Sequence, residues 1–212
     1  MAPLILAAEV YETVAPEPAA HEHEAGTAEH EHDAAAWASA DGAERIAFTV
    51  AADILAALGF AFVLAAASVL GGIDVTARNG VLWGIAGFAV FQLAPAFGLP
   101  PELPGMPAAD LVMRQVWWWG TAIATATAIF GIAKFQNWPA VVVGIVLILA
   151  PHIIGAPQLV GEPASGVPAH LATAFAANTL FTGAAFWLLL GPLYGFFVER
   201  FARTTATAAV PA

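Results

Sequence analysis

The chain has no cysteine among its 212 residues, which excludes disulfides, thiolate metal sites and cysteine nucleophiles. Basic side chains are scarce, with six Lys and Arg against sixteen Asp and Glu. A nucleic-acid binder needs a basic surface, so that class is excluded as well. Charged residues of every kind make up only 10%, and the mean hydropathy is +0.77. That is far too apolar for a soluble domain of this length. Two catalytic signatures are missing. No His-Glu-x-x-His protease motif occurs, since Ala25 and Thr27 stand where it would need other residues. No Gly-x-x-x-x-Gly-Lys-Ser/Thr loop occurs either, so any ATP hydrolysis would be external. The three serines are scattered and no nucleophile is paired with a base, so an intramembrane enzyme has no support in the sequence.

What charge there is has been segregated. Residues 9–44 hold ten acids and no Lys or Arg, while the remainder carries six acids and six bases. Within that acidic stretch, residues 21–33 read HEHEAGTAEHEHD and contain four of the six histidines, His21, His23, His30 and His32. Imidazole with carboxylate is the ligand set of divalent transition metals, and an acidic segment attracts cations. With few large apolar side chains, residues 12–44 cannot bury enough surface to offset the entropy of ordering, so they read as a mobile segment. A solvated tail that binds metal loosely remains the blander alternative. Residues 1–11 look like the end of a hydrophobic helix whose beginning is absent, and they lack the basic start of a signal peptide.

The fold class expected is an all-α integral membrane protein with about five transmembrane helices plus that N-terminal remnant. The candidate spans are residues 46–70, 80–97, 114–134, 138–154 and 169–198, near the roughly 20 residues that cross a hydrocarbon core. They are apolar on every face, which argues against a β-barrel. Pro151 is expected to break the fourth span, and Pro192 gives the fifth a place to kink. Gly80 with Gly84, and Gly191 with Gly195, have the four-residue spacing that lets helix backbones approach. The bundle is expected to occupy residues 45–203, followed by a short tail, 204–212.

Arg78, Lys134, Arg200 and Arg203 fall on one side of this arrangement and Arg45 and Arg114 on the other, which places the C-terminus in the cytoplasm. Asp53, Glu102, Asp110, Arg114, His152 and His170 then all belong to the outer leaflet or outer loops, beside the acidic segment. An acid such as Asp53 inside a span costs about 2.5–3.5 kcal/mol unless it meets a cavity or a partner. A cation ligand and an ion pair with Arg114 or Arg45 are both open to it. PHIIGAP puts His152 where a helix is interrupted, the kind of place at which transporters hold ions. Capping of a short helix is its bland alternative. Trp117, Trp118 and Trp119 read as interfacial anchors. A linker of about 20 residues spans roughly 25 Å on average, enough for the histidines to reach the membrane surface. Below this outer cluster only Ser68, Gln92 and Asn178 offer polar groups.

Several motifs resemble one family. PLILAAEVYE, the pattern formed by Trp37, Asp41, Gly42, Glu44 and Arg45, WGIAGFAVFQLAPAFGLPPELPG, RQVWWW, PHIIGAP and VPAHLA are similar to the CbtA family of probable cobalt transporter subunits, over nearly the whole chain. The resemblance implies a multi-span bacterial inner-membrane protein linked to vitamin B12 synthesis. It also implies a small companion subunit, CbtB-like, with a His-rich metal-binding motif of its own. Members usually carry a complete hydrophobic helix before the PLILAAEVYE element. Glu102 and His152 fall in the family's characteristic motifs. The expected metal ligands are His21, His23, His30, His32, Asp53, Glu102, His152 and His170. The expected partners are the lipid bilayer, the companion and a divalent metal ion, with Co²⁺ as the transported ion and no permanently bound cofactor. Cobalt comes from the resemblance alone, because such ligands bind Ni²⁺, Cu²⁺ and Zn²⁺ at least as well. A non-transporting metal chaperone or sensor subunit remains the alternative.

Overall fold

A computed structural model describes residues 2–12, 42–159 and 166–208. These form α1 (Ala2–Glu12), α2 (Ala43–Gly71), α3 (Gly80–Phe88), a π-helical turn (Ala89–Leu93), α4 (Ala94–Ala96), α5 (Leu111–Phe135), α6 (Trp138–Ile154) and α7 (Ala169–Ala208). There is no strand among the described residues, and the protein is an all-α membrane protein. Three helices, α2, α5 and most of α7, are long and apolar enough to cross a bilayer. Two more apolar helices, Gly80–Ala96 and Trp138–Ile154, are shorter. At 1.5 Å per residue their 17 residues extend about 25 Å, the low end of what spans a hydrocarbon core.

The four glycines singled out by spacing do bring helices together. A Cβ on Gly80 would collide with the backbone of Gly191 and Pro192, and one on Gly84 with the carbonyl of Trp187. Gly195 lies as closely against the backbone of Thr76 and Ala77. Thus α3 and α7 touch backbone to backbone, which only glycine permits. Just above this contact Trp187, 1% exposed, is the largest fully buried side chain. Its indole lies on Gly87, where a Cβ would strike the ring. It stacks on Phe91 at 5.6 Å and packs against Phe60 of α2 at 4.8 Å. That aromatic knot joins α2, α3 and α7.

A second pair, α5 with α6, closes where Gly144 admits Ile132 against it, a Cβ there falling 2.7 Å from the Ile132 side chain. Asn137 caps α6 by accepting from the Ala140 N–H, and Asp110 caps α5 by accepting from Met113. The loop ends of α2 and α5 are tied together, since Lys134 donates to the Gly71 carbonyl at 2.6 Å and the Phe130 ring covers Gly71. At the opposite end α1 buries Ala8 against Leu103 and Val167. The bundle thus has a Lys134 end and a Glu102 end.

One interruption differs from expectation. Pro151 does not break α6, which runs through it to Ile154. Proline removes one intrahelical donor, and so close to the terminus that loss does not end the helix. The chain turns instead at Gly155, whose φ of 88° favours glycine. Pro192, the place at which α7 was expected to kink, lies within that helix. The π-helical turn just before Pro95 was not foreshadowed by any sequence pattern.

Candidate functional site

Two cavities open on either side of the π-helical turn. The first, about 370 Å³, is lined by Phe91, Gln92, Glu102, Arg114, Trp118 and Thr179 among others. The second, about 650 Å³, is lined by Leu93, Phe97, Trp117, Thr125, Ile129 and His152 among others. The lining residues recur at helical spacing, Phe91, Gln92, Pro95 and Ala96 on the first cavity and Ala89, Leu93, Ala94 and Phe97 on the second.

The first cavity is electrically balanced. Arg114 Nη2 meets Glu102 Oε2 at 2.6 Å, with each side chain about a quarter exposed (25% and 24%). The Pro-rich loop holding Glu102 is thereby fastened to the first turn of α5. Arg114 therefore serves Glu102 and not Asp53. Two buried atoms near this cavity have no hydrogen-bond partner, Gln92 Oε1 and Arg114 Nε. Gln92 lies hard against Gly183 of α7, where any Cβ would overlap the amide.

Among the described residues the second cavity has no Lys, Arg, Asp or Glu on its wall. The ionisable group it does have among the described residues is the imidazole of His152, in the last turn of α6. Trp117 and Phe97 hold that ring edge-on at 5.8 and 6.1 Å. Trp117 Nε1 also donates to the Pro151 carbonyl at 3.1 Å. Trp117 is therefore part of the helix-to-helix contact, while Trp119 is exposed. Eight residues along α5, about 12 Å deeper at 1.5 Å per residue, lies Thr125. It is 3% exposed and its hydroxyl has no partner. One turn nearer the Glu102 end, Thr121 bonds back to the Trp117 carbonyl at 2.9 Å, so the orphan at Thr125 is particular to that position. A threonine in an Ala-rich apolar helix gave no periodic signal, and sequence reading missed it.

The remaining expected ligands are dispersed. Asp53 is exposed on α2 and His170 is exposed in the first turn of α7. Glu102 and His152 line different cavities. Among the described residues no group of three or more His, Asp or Glu is placed to hold a metal ion. His21, His23, His30 and His32 lie outside the described residues.

The model of a family described as CbtA, probable cobalt transporter subunit, matches residues 1–199. No curated protein and no solved structure matches the chain.

Proposed function

The chain belongs to the CbtA family of probable cobalt transporter subunits, and on that premise we propose that it passes Co²⁺ through the cavity bearing His152. The family is one of transporter subunits and not an enzyme class, and cobalt is its transported ion rather than a resident cofactor. In this reading the histidines and carboxylates of residues 21–33 gather the ion at the extracytoplasmic face of the bacterial inner membrane. They hand it to the Glu102 end of the bundle, with the C-terminus in the cytoplasm and a small CbtB-like companion completing the system. The cobalt would supply vitamin B12 synthesis.

The observation that carries this reading is the wall of the second cavity. It combines one imidazole, the ligand a late first-row divalent ion prefers, with no fixed positive charge to repel it. In the first cavity the Glu102 carboxylate is already taken by the Arg114 guanidinium, which makes it the poorer cation route. Size agrees. Six waters at about 30 Å³ each fill about 180 Å³, so the ion fits with its inner hydration shell. His152 then needs to replace only one water, which keeps binding weak enough for release. Basic residues support the orientation, because Arg78, Lys134 and Arg200 gather at the Lys134 end.

Uptake of radioactive Co²⁺ into proteoliposomes, with and without the companion, tests the proposal. His152→Ala should abolish uptake, whereas deletion of residues 13–41 should raise the half-saturation concentration and leave the maximal rate. A chain that binds Co²⁺ but never moves it is a chaperone or sensor. Equal rates for His152→Ala and the parent would remove the cavity from the path. Competition by Ni²⁺ and Zn²⁺ reports whether the path itself selects cobalt.

A further inference from the structure

The π-helical turn leaves one backbone oxygen without a donor. In an α-helix the Val90 carbonyl would accept from the Ala94 N–H, four residues on. Here that N–H donates to the Ala89 carbonyl instead, the five-residue step of a π turn. The same step assigns the Leu93 N–H to Phe88. It would pair Val90 with residue 95, but that residue is Pro95 and has no N–H to give. No other hydrogen bond to the Val90 carbonyl exists among the described residues, and Val90 is 6% exposed. A buried backbone carbonyl without a partner is uncommon, and π turns of this kind gather at functional sites.

A helical carbonyl points toward the C-terminal end of its helix. For Val90 that direction leads to Leu93 and Ala94, both on the wall of the second cavity. Phe97, two turns further on, carries the ring that meets His152. Val90 thus lies about 10 Å below the level of the imidazole, at 1.5 Å per residue. On the facing helix Trp117 meets the same imidazole. Two turns below Trp117, Thr125 lines the cavity with its hydroxyl buried and unpaired. Two oxygens without partners therefore stand at one depth, on two helical segments packed together. We propose that the Val90 carbonyl and the Thr125 hydroxyl form a second station, made of oxygen alone, for the transported cation below His152. Thr125 joins it by the rotamer exchange open to a helical threonine. Imidazole suits a late first-row ion, whereas a carbonyl suits harder ones. The ion thus meets its firmer ligand at the mouth and a looser one inside, an order that favours onward release. Pro95 is the positioning residue, because its missing N–H keeps the Val90 carbonyl free.

The station rests on the reading of a cobalt path, and its test keeps the two apart. Val followed by Phe occurs once in the chain, at Val90 and Phe91. Carbonyl-¹³C valine with ¹⁵N phenylalanine therefore marks this one amide, which solid-state NMR reads in the full chain in lipid bilayers. Without metal the Val90 carbonyl should resonate upfield of a hydrogen-bonded helical carbonyl. Paramagnetic Co²⁺ should broaden that signal away, and diamagnetic Mg²⁺ should not. Pro95→Ala supplies an N–H, either to Val90 directly or by letting Ala94 return to it. That variant should shift the signal downfield, shield it from Co²⁺ and lower proteoliposome uptake several-fold, with helicity by circular dichroism unchanged. Replacing Phe91 by its α-hydroxy acid turns the amide into an ester, which weakens the same carbonyl without giving it a donor, and should also slow uptake. A metal-free signal already at the hydrogen-bonded position would overturn the station. So would a signal that Co²⁺ leaves sharp while uptake proceeds, or full uptake by Pro95→Ala, and each of these leaves the path at His152 standing. Broadening without uptake would keep the station and end the path. A sharp signal without uptake would end both.

Discussion

Trp117 reaches across from α5 to donate its indole N–H to the carbonyl of Pro151 on α6, at 3.1 Å. The same carbonyl accepts the Gly155 N–H at 3.0 Å. Because His152 follows Pro151, this contact fixes where the imidazole sits relative to α5. The same indole also lies edge-on to the imidazole, so one side chain both sets the helix spacing and shapes the cavity wall.

Trp117→Phe keeps an aromatic ring and loses the donor. The Pro151 carbonyl still has Gly155, so no buried group is orphaned and the loss should be a net hydrogen bond, about 0.5–1.5 kcal/mol. Mixed-micelle unfolding should detect that modest drop. Co²⁺ uptake should show a raised half-saturation concentration with the maximal rate retained. A variant as stable as the parent would mean the bond contributes nothing.

The contact between α3 and α7 predicts a larger effect. Gly84→Val drives a branched side chain into the Trp187 carbonyl, and neither backbone can yield without separating the helices. Overpacking usually costs about 1–3 kcal/mol, and a backbone collision belongs at or above the upper end. Gly59→Val is the control, since a Cβ there meets nothing, and it should unfold like the parent. If Gly84→Val unfolded like that control, the close approach of α3 and α7 would be wrong.

The two glycine pairs and the apolar helices were legible in the sequence because both express local periodicity. Trp187 was not, since its burial depends on Gly87 and Phe91 arriving from another helix. The π-helical turn was equally hidden, because AVFQL carries the pattern of any apolar helix. At the candidate site the sequence brought Glu102 and Arg114 to the same end of the bundle. It could not tell that Arg114 would take Glu102 in preference to Asp53, a choice set by how the Pro-rich loop folds back. Nor could it separate Glu102 from His152, because sidedness along a helix says little about which cavity a loop faces. The histidine-rich tract was conspicuous by composition, but it lies outside the described residues.

Glu102 and Arg114 should behave as a coupled pair. Each is about a quarter exposed, so solvent screening keeps the bond to about 1 kcal/mol or less. Glu102→Gln and Arg114→Gln should each lower stability by that amount. The exchange Glu102→Arg with Arg114→Glu should recover part of the loss in a double-mutant cycle. Zero coupling would show that the Pro-rich loop is held by its apolar contacts, such as Leu103 under Ala8.

Thr125→Val separates stability from transport at one atom. Valine keeps the shape and replaces the hydroxyl by a methyl group. In the described structure that hydroxyl is buried without a partner, and leaving a polar group so costs about 1–3 kcal/mol. The substitution should therefore leave stability unchanged or raise it, unlike most core changes. Threonine in a helix occupies two rotamers, and their exchange would turn the hydroxyl toward the cavity it lines. There it can hydrogen-bond the hydration shell of a passing ion. Uptake of Co²⁺ by Thr125→Val should fall several-fold while melting in detergent stays at or above the parent's, and Thr125→Ser should restore transport. Uptake that survives Thr125→Val intact would confine the ion's path to the part of the cavity nearer His152.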